Sequence, residues 1–243
     1  MPFFPVGPAG NAKSICITFM LCTLLCYSAP GMASEQDPLE SFNRKVFVFN
    51  EFIDRWALKP LAKAYRWITP GFVDRGVSNF FDNLAEVRNL VNAGLQGDLA
   101  RMGSASGRLL VNSSVGIGGL FDVASGVGIS ARDEDFGQTL GVWGVGSGPY
   151  IVLPLFGGSS LRDAFALAPD IYLLPSTYLD DEGARYAIRA VDVIDLRADL
   201  LDAEALVSGD RYTFLREVYL QRRQSDIHNG ELNEDFDNFD DDF

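Results

Sequence analysis

The sequence predicts an all-α fold, a single compact helical domain interrupted by one glycine-dense segment. Two observations carry this prediction. Apolar residues recur at steps of three and four along several long stretches, which is the spacing of one helix face. The cysteines, Cys16, Cys22 and Cys26, all fall in the first part of the chain, so the remainder folds without a disulfide framework or a thiolate metal site. With 243 residues and 47% hydrophobic content, the chain can build one well-packed domain.

The N-terminus reads as a targeting segment. Lys13 precedes the apolar run Ser14 to Ala29, and Gly31 and Ala33 supply small residues before a cleavage point. This predicts a secretory signal over residues 1–33, too short and wrongly flanked for a stable transmembrane helix. A lipoprotein signal wants a small residue before the modified cysteine. Cys26, the candidate lipidation site, follows Leu24-Leu25 and fits that pattern poorly.

Residues 34–230 form the predicted domain. Asp37-Pro38 suits a helix start. Phe42, Val46, Phe49, Ile53 and Trp56 then trace one helix face, with Phe47 and Phe52 off the seam. So wide an apolar arc predicts burial on more than one side, by protein or by lipid. Pro60 is expected to end or break this helix, and Thr69-Pro70-Gly71 to turn the chain. Phe80, Leu84, Val87 and Val91 mark a second helix. Gly103 and Gly107 have the GxxxG spacing that lets two helix backbones approach closely. The run Val115 to Ile129, apolar and Gly-rich, gives no clear element and is too short to span a bilayer.

Gly137, Gly141, Gly144, Gly146 and Gly148 follow, interleaved with Trp143 and leading to Tyr150. Ile151 to Leu153 form a short β-like patch ended by Pro154. Such glycines suit a hairpin or a flexible loop. They match neither GxGxxG nor GxxxxGK[ST], which argues against nucleotide binding. Helical spacing resumes in Arg162 to Ala168, Gly183 to Asp202 (Ile188, Val191, Ile194, Leu201) and Tyr212 to Arg223 (Phe214, Leu215, Val218, Tyr219). Arg197, Asp199 and Asp202 read as a solvated face. Residues 231–243 hold seven acidic side chains and no basic one, too little apolar content per charge to fold alone.

The formal net charge of −13, with no clustered basic face, argues against a nucleic-acid partner. Catalysis has little material. The one histidine, His228, stands in a polar stretch, which starves a Ser-His-Asp device and a His/Cys metal site alike. The Gly103 to Gly107 segment has Ala105 where a nucleophile elbow needs serine. Asp133-Glu134-Asp135 and Asp180-Asp181-Glu182 read as exposed loops. The expectation is a protein that is not an enzyme, with no cofactor and no metal.

Five blocks together resemble the MlaA/VacJ family of outer-membrane proteins: DPLESFNRKVFVFN (Asp37 to Asn50), NLVNAGLQGD (Asn89 to Asp98), GIGGLFDVAS (Gly116 to Ser125), FGQTLGVWGVGSGPYIVLPLFGGSSLRD (Phe136 to Asp163) and REVYLQRR (Arg216 to Arg223). The resemblance implies a helical disc in the inner leaflet of the Gram-negative outer membrane, on its periplasmic side, with an amphipathic central channel. It implies retrograde transport of mislocalised phospholipids from the outer leaflet to an MlaC-like periplasmic lipid carrier, with a porin trimer as membrane partner. It places Gly141, Gly144, Gly146, Gly148 and Pro149 in a hinge loop beside the channel. Phe42, Asn43, Val48 and Phe49 fall in the N-terminal helix that restrains that loop. Two alternatives stand beside this reading: the glycines permit only a tight static hairpin, or the protein is a structural, porin-associated envelope component without lipid transport.

Overall fold

The computed structural model describes residues 37–207 and 209–228. The predicted signal peptide, with Cys26, and the acidic tail 231–243 lie outside the described residues. The domain is helical apart from one small hairpin.

Helix α1 (Glu40–Ile53) runs through a single π-helical turn (Asp54–Leu58) into α2 (Lys59–Ile68). Pro60 therefore does not end the helix. The Lys59 N–H reaches back five residues to the Asp54 carbonyl, so the hydrogen-bond register slips just ahead of the proline that cannot donate. Thr69 and Pro70 turn the chain into α3 (Gly71–Gln96). Gly97, at φ +77°, ends α3 in the left-handed conformation that glycine tolerates best, and Asp98 caps α4 (Leu99–Ser114) through the Arg101 N–H. Asp122 and Asp135 cap α5 (Val123–Gly126) and α6 (Phe136–Val142) in the same way.

Strands β1 (Tyr150–Leu153) and β2 (Gly157–Ser160) pair antiparallel, with Tyr150 opposite Ser160 and Leu153 opposite Gly157. Ser160 caps α7 (Leu161–Leu173), which is longer than its sequence spacing suggests and carries Pro169 inside it. A 3₁₀ turn (Pro175–Tyr178), α8 (Glu182–Asp199), a second 3₁₀ turn (Ala203–Leu206) and α9 (Arg211–Ile227) complete the described chain. Helix α3 packs along α4, α2 against α8, and α6 against α7.

The interior is polar. Among the described residues no Leu, Ile, Met, Phe or Trp is buried, whereas Asn43, Asn83, Glu86, Asn89, Asn92, Arg108, Asn112, Glu134 and Asp170 are. The apolar seam of α3 at Phe80, Leu84, Val87 and Val91 is thus not its buried face. The buried face is Asn83, Glu86, Asn89 and Asn92. Each step of three falls about 60° short of a full turn, so this polar stripe winds round the helix and meets successive neighbours. Asn83 donates to the Ser113 hydroxyl at 3.0 Å. Glu86 pairs with Arg108 of α4 at 2.5 Å, both side chains nearly inaccessible. The Asn89 side-chain oxygen Oδ1 accepts from the Glu134 N–H at 3.1 Å, and Asn92 donates to Asp170 while accepting from Thr139.

Three expectations are corrected by this interior. Gly103 and Gly107 do not seat two helix backbones together. A Cβ on Gly103 would meet nothing, and one on Gly107 would meet only the Ile129 side chain at 3.3 Å. The close approach lies instead at Gly119 (φ +93°), where a Cβ would come within 2.5 Å of the Asn83 Cβ. The Asp133 to Asp135 run is not an exposed loop, because Glu134 is 1% exposed and held by Arg101 and Gln96. Arg197 is not on a solvated face: it pairs bidentately with Asp54 at 2.6 and 2.9 Å and also with Glu204. Asp202, at 82% side-chain exposure, is solvated as expected.

Breaking the Glu86–Arg108 pair from one side strands a buried charge. Arg108→Met alone is expected to cost about 3–5 kcal/mol, and Glu86→Leu/Arg108→Met to recover most of it. Thermal melts of both variants in detergent check this.

Candidate functional site

Two asparagines seven residues apart on α1 hold the hairpin. Asn43, fully buried, donates from its amide nitrogen to the Tyr150 carbonyl at 3.0 Å and accepts the Val152 N–H at 2.9 Å. Its carboxamide thus fills the free edge of β1 as a neighbouring strand would. Asn50 repeats the arrangement further along, donating to the Leu153 carbonyl at 2.9 Å and accepting from the Leu155 N–H at 2.8 Å. Phe42, Val48 and Phe49 are 51%, 65% and 48% exposed, so the hydrogen-bonded contacts between α1 and the hairpin come from the asparagines.

A small aromatic core backs this clip. The Tyr150 ring lies 6.3 Å from Tyr212 and 5.6 Å from Tyr219, and Phe47 meets Tyr212 edge-on at 5.7 Å. The Tyr212 hydroxyl donates to Asp37, whose carboxylate also accepts from Asn43. The start of α1 and the start of α9 therefore share one carboxylate.

The glycine segment divides into two parts. Gly137 and Gly141 lie within α6, and a Cβ on Gly141 would meet Arg162 Nη1 at 2.9 Å and Ile227 at 3.0 Å. Gly141 is a packing position. Gly144, Gly146, Gly148 and Pro149 lie in the connection from α6 to β1. Gly144 (φ +86°) and Gly148 (φ +67°) hold left-handed backbone, whereas Gly146 does not, and a Cβ there would meet open space. The connection is tied to the start of α7. The Arg162 guanidinium donates to the Val145 carbonyl at 3.3 Å, the Arg162 N–H to Ser147 at 3.0 Å, and the Leu161 N–H to Pro149 at 3.1 Å.

Arg223 of α9 locks the two flanks of this connection. It binds Asp135, the α6 cap, at 2.6 and 2.8 Å, and Asp163 of α7 at 2.8 Å. Burial opposes ionisation of Asp163. Hydrogen bonds from Arg223, Arg162 and Tyr219 outweigh it and hold the carboxyl at about 2. Among the described residues no cluster of three His, Cys, Asp or Glu could hold a metal ion.

The outer surface reverses the usual order. Along α1, α2 and the start of α3, Phe52, Trp56, Leu61, Trp67, Ile68 and Phe72 are all at least half exposed. A run of this size exceeds what a water-facing surface carries without a purpose. Among the described residues, no helix is long and apolar enough to cross a membrane.

A family model described as MlaA lipoprotein matches residues 35–226. The chain belongs to the MlaA family. Its relatives include the protein named intermembrane phospholipid transport system lipoprotein MlaA of Escherichia coli, 36% identical over 222 residues and covering 86% of this chain and 87% of the relative. The same-named protein of Haemophilus influenzae is 32% identical over 219 residues, covering 87% of each chain. An uncharacterized protein of Rickettsia bellii is 35% identical over 201 residues, with 81% of this chain and 79% of the relative covered. A solved chain, described under the structural basis for maintenance of bacterial outer membrane lipid asymmetry, superposes at a TM-score of 0.71 with 38% identity. It covers 79% of this chain and 100% of its own.

The matched residues 35–226 include the connection from Gly144 to Pro149 and its α1 clip. Sequence reasoning singled out Asn43 but missed Asn50, Arg162, Asp163 and Arg223. The repeat of Asn at a seven-residue interval was the available signal for Asn50. The Arg223 network joins residues far apart in sequence and leaves no local trace.

Asn43→Ala leaves the Val152 N–H and the Tyr150 carbonyl unpaired, which is expected to cost about 1–3 kcal/mol for each stranded group. Amide hydrogen exchange at Val152 should accelerate more than at α4 amides. The depressed Asp163 carboxyl contributes stability that is complete above the unfolded carboxylate range near pH 4 and fades as pH falls toward 2. Asp163→Asn is therefore expected to lower Tm at pH 7 and to flatten the fall in Tm between pH 4 and pH 2.

Proposed function

We propose that this chain seats on the inner-leaflet side of the Gram-negative outer membrane and passes mislocalised phospholipids from the outer leaflet toward an MlaC-like periplasmic carrier, docked on a porin trimer. The observation that carries the reading is the inversion of polarity: carboxylates and amides inside, large apolar side chains outside. An outside of Phe, Trp and Leu is stable where hydrocarbon replaces water. A phospholipid crossing that hydrocarbon must carry a charged head through it, and a protein path with a polar wall removes most of that cost. The names of the relatives, intermembrane phospholipid transport system lipoproteins, support the same reading.

In this proposal the connection from Gly144 to Pro149 is the moving part. Asn43 and Asn50 on α1 restrain its downstream end through β1, and Arg162 restrains its carbonyls. Opening requires the Arg162 contacts to Val145 and Ser147 to release. Those same contacts favour the second reading, a static hairpin. Gly144→Pro cannot separate the two, because a residue locked near φ −65° is incompatible with φ +86° whether or not the loop moves. Gly146→Ala can, because its Cβ meets nothing.

Cells lacking the gene should accumulate phospholipid in the outer leaflet, and a plasmid copy should reverse this. A Gly146→Ala copy narrows the backbone freedom of the loop and is expected to slow clearance about two- to fivefold without lowering Tm. Full clearance by the alanine form would leave the static hairpin in place, and no accumulation in the deletion strain would remove the transport reading.

A further inference from the structure

Helix α2 carries a second feature that lipid passage does not use. Lys59, Lys63 and Arg66, at steps of four and three, form one stripe along it. With Leu201, Asp202 and Glu204 they line a cleft of about 370 Å³. Its two walls are oppositely charged, cations on α2 facing the carboxylates that follow α8.

The charges are not equally committed. Glu204 is engaged by Lys59 at 2.5 Å and by Arg197, which also holds Asp54. Arg66 and Asp202 meet at 3.1 Å with side chains 45% and 82% exposed, an ion pair that water and salt weaken. Lys63 forms no ion pair among the described residues. Trp67, one turn beyond Lys63 on the same helix, is 87% exposed, and Ile68 next to it is 67% exposed.

We propose that this cleft holds the headgroup of a zwitterionic aminophospholipid. Its phosphate bridges Lys63 and Arg66, its ammonium takes Asp202, and its acyl chains lie over Trp67. The ligand exchanges one exposed ion pair for two and brings Lys63 a partner. A phosphatidylglycerol headgroup would bring the same phosphate to these cations but no ammonium to replace Arg66 beside Asp202. A choline headgroup offers Asp202 no N–H to donate. A free phosphate would use the cationic wall alone, whereas the exposed Trp67 and Ile68, which follow Lys63 and Arg66 on the same helix, favour an occupant with acyl chains. The proposal rests on the membrane seating proposed above.

The test is tryptophan quenching of the full chain in neutral detergent micelles doped with chain-brominated phosphatidylethanolamine, phosphatidylglycerol or phosphatidylcholine. The Trp67 signal is isolated by difference from Trp67→Phe. Phosphatidylethanolamine should half-quench at a mole fraction about fivefold below that of phosphatidylglycerol, the upper range for one exposed ion pair. Asp202→Asn should erase that preference. Lys63→Gln/Arg66→Gln should weaken quenching by all three lipids, while Lys63→Arg retains it, with circular dichroism reporting that each variant is folded. Equal quenching by the three lipids overturns the headgroup site and leaves the membrane seating standing. No quenching by any of them overturns both. Displacement of the brominated lipid by inorganic phosphate, at ionic strength matched with chloride, overturns the lipid occupant in favour of a free anion.

Discussion

The polar stripe of α3 governs the arrangement of its neighbours. Amides and a carboxylate at Asn83, Glu86, Asn89 and Asn92 are buried, and an unpaired group of this kind costs more than the contact it could have made. The neighbours that cover this stripe therefore present partners to it, with the Asn83 Oδ1 left unpaired. Helix α4 brings Arg108 to Glu86, the segment before α6 turns its backbone N–H at Glu134 toward Asn89, and α6 and α7 bring Thr139 and Asp170 to Asn92. Because the stripe winds, these partners come from four different parts of the chain. Hydrogen-bond satisfaction, which is directional, sets the register of the helices here in the way that shape complementarity does in an apolar core.

The same logic carries to the hairpin. A two-stranded ribbon is marginal by itself, and its outer edge exposes backbone groups that need partners. Asn43 and Asn50 supply those partners from a helix, so the position of β1 follows α1 rather than a larger sheet. Arg223 then couples α9 to both Asp135 and Asp163, on either side of the glycine connection. The connection itself carries three glycines and is tied to the start of α7 through Leu161 and Arg162.

A polar interior leaves the apolar residues of an amphipathic chain with no place except the surface. In water that arrangement would lose the main driving force for folding. In contact with hydrocarbon the penalty vanishes, because an exposed Phe or Trp meets a solvent as apolar as a core. The stretch from Phe42 to Ile68 gathers much of this surface into two successive helices, and on α2 it adjoins the cationic stripe of Lys59, Lys63 and Arg66. Apolar side chains beside basic ones on one short helix match the boundary between acyl chains and headgroups.

Spacing at three and four depends only on the local helix period, so the helical class and helices α1, α3, α8 and α9 were legible in the sequence, whereas α5 and α6 were not and α7 runs past its expected end. The sequence by itself also determined the turn at Thr69-Pro70-Gly71 and the short strand at Ile151 to Leu153. It marked the wide apolar arc of Phe42, Phe47, Phe49 and Phe52, while leaving open whether protein or lipid covers it. Tertiary structure decided which face of each helix is inside. Periodicity reports that a face is apolar, and only the neighbours show that the fully buried face of α3 is the polar one. Arg108, Glu134 and Arg223 could not be read from their surroundings in the chain, since their partners stand from 14 to 88 residues away. Pro60 and Gly141 show the same limit on a smaller scale: a π-turn absorbs the proline, and close packing against Arg162 and Ile227 accounts for the glycine. A local pattern fixes what conformations a segment can adopt, and long-range hydrogen bonding in a low-dielectric interior selects among them.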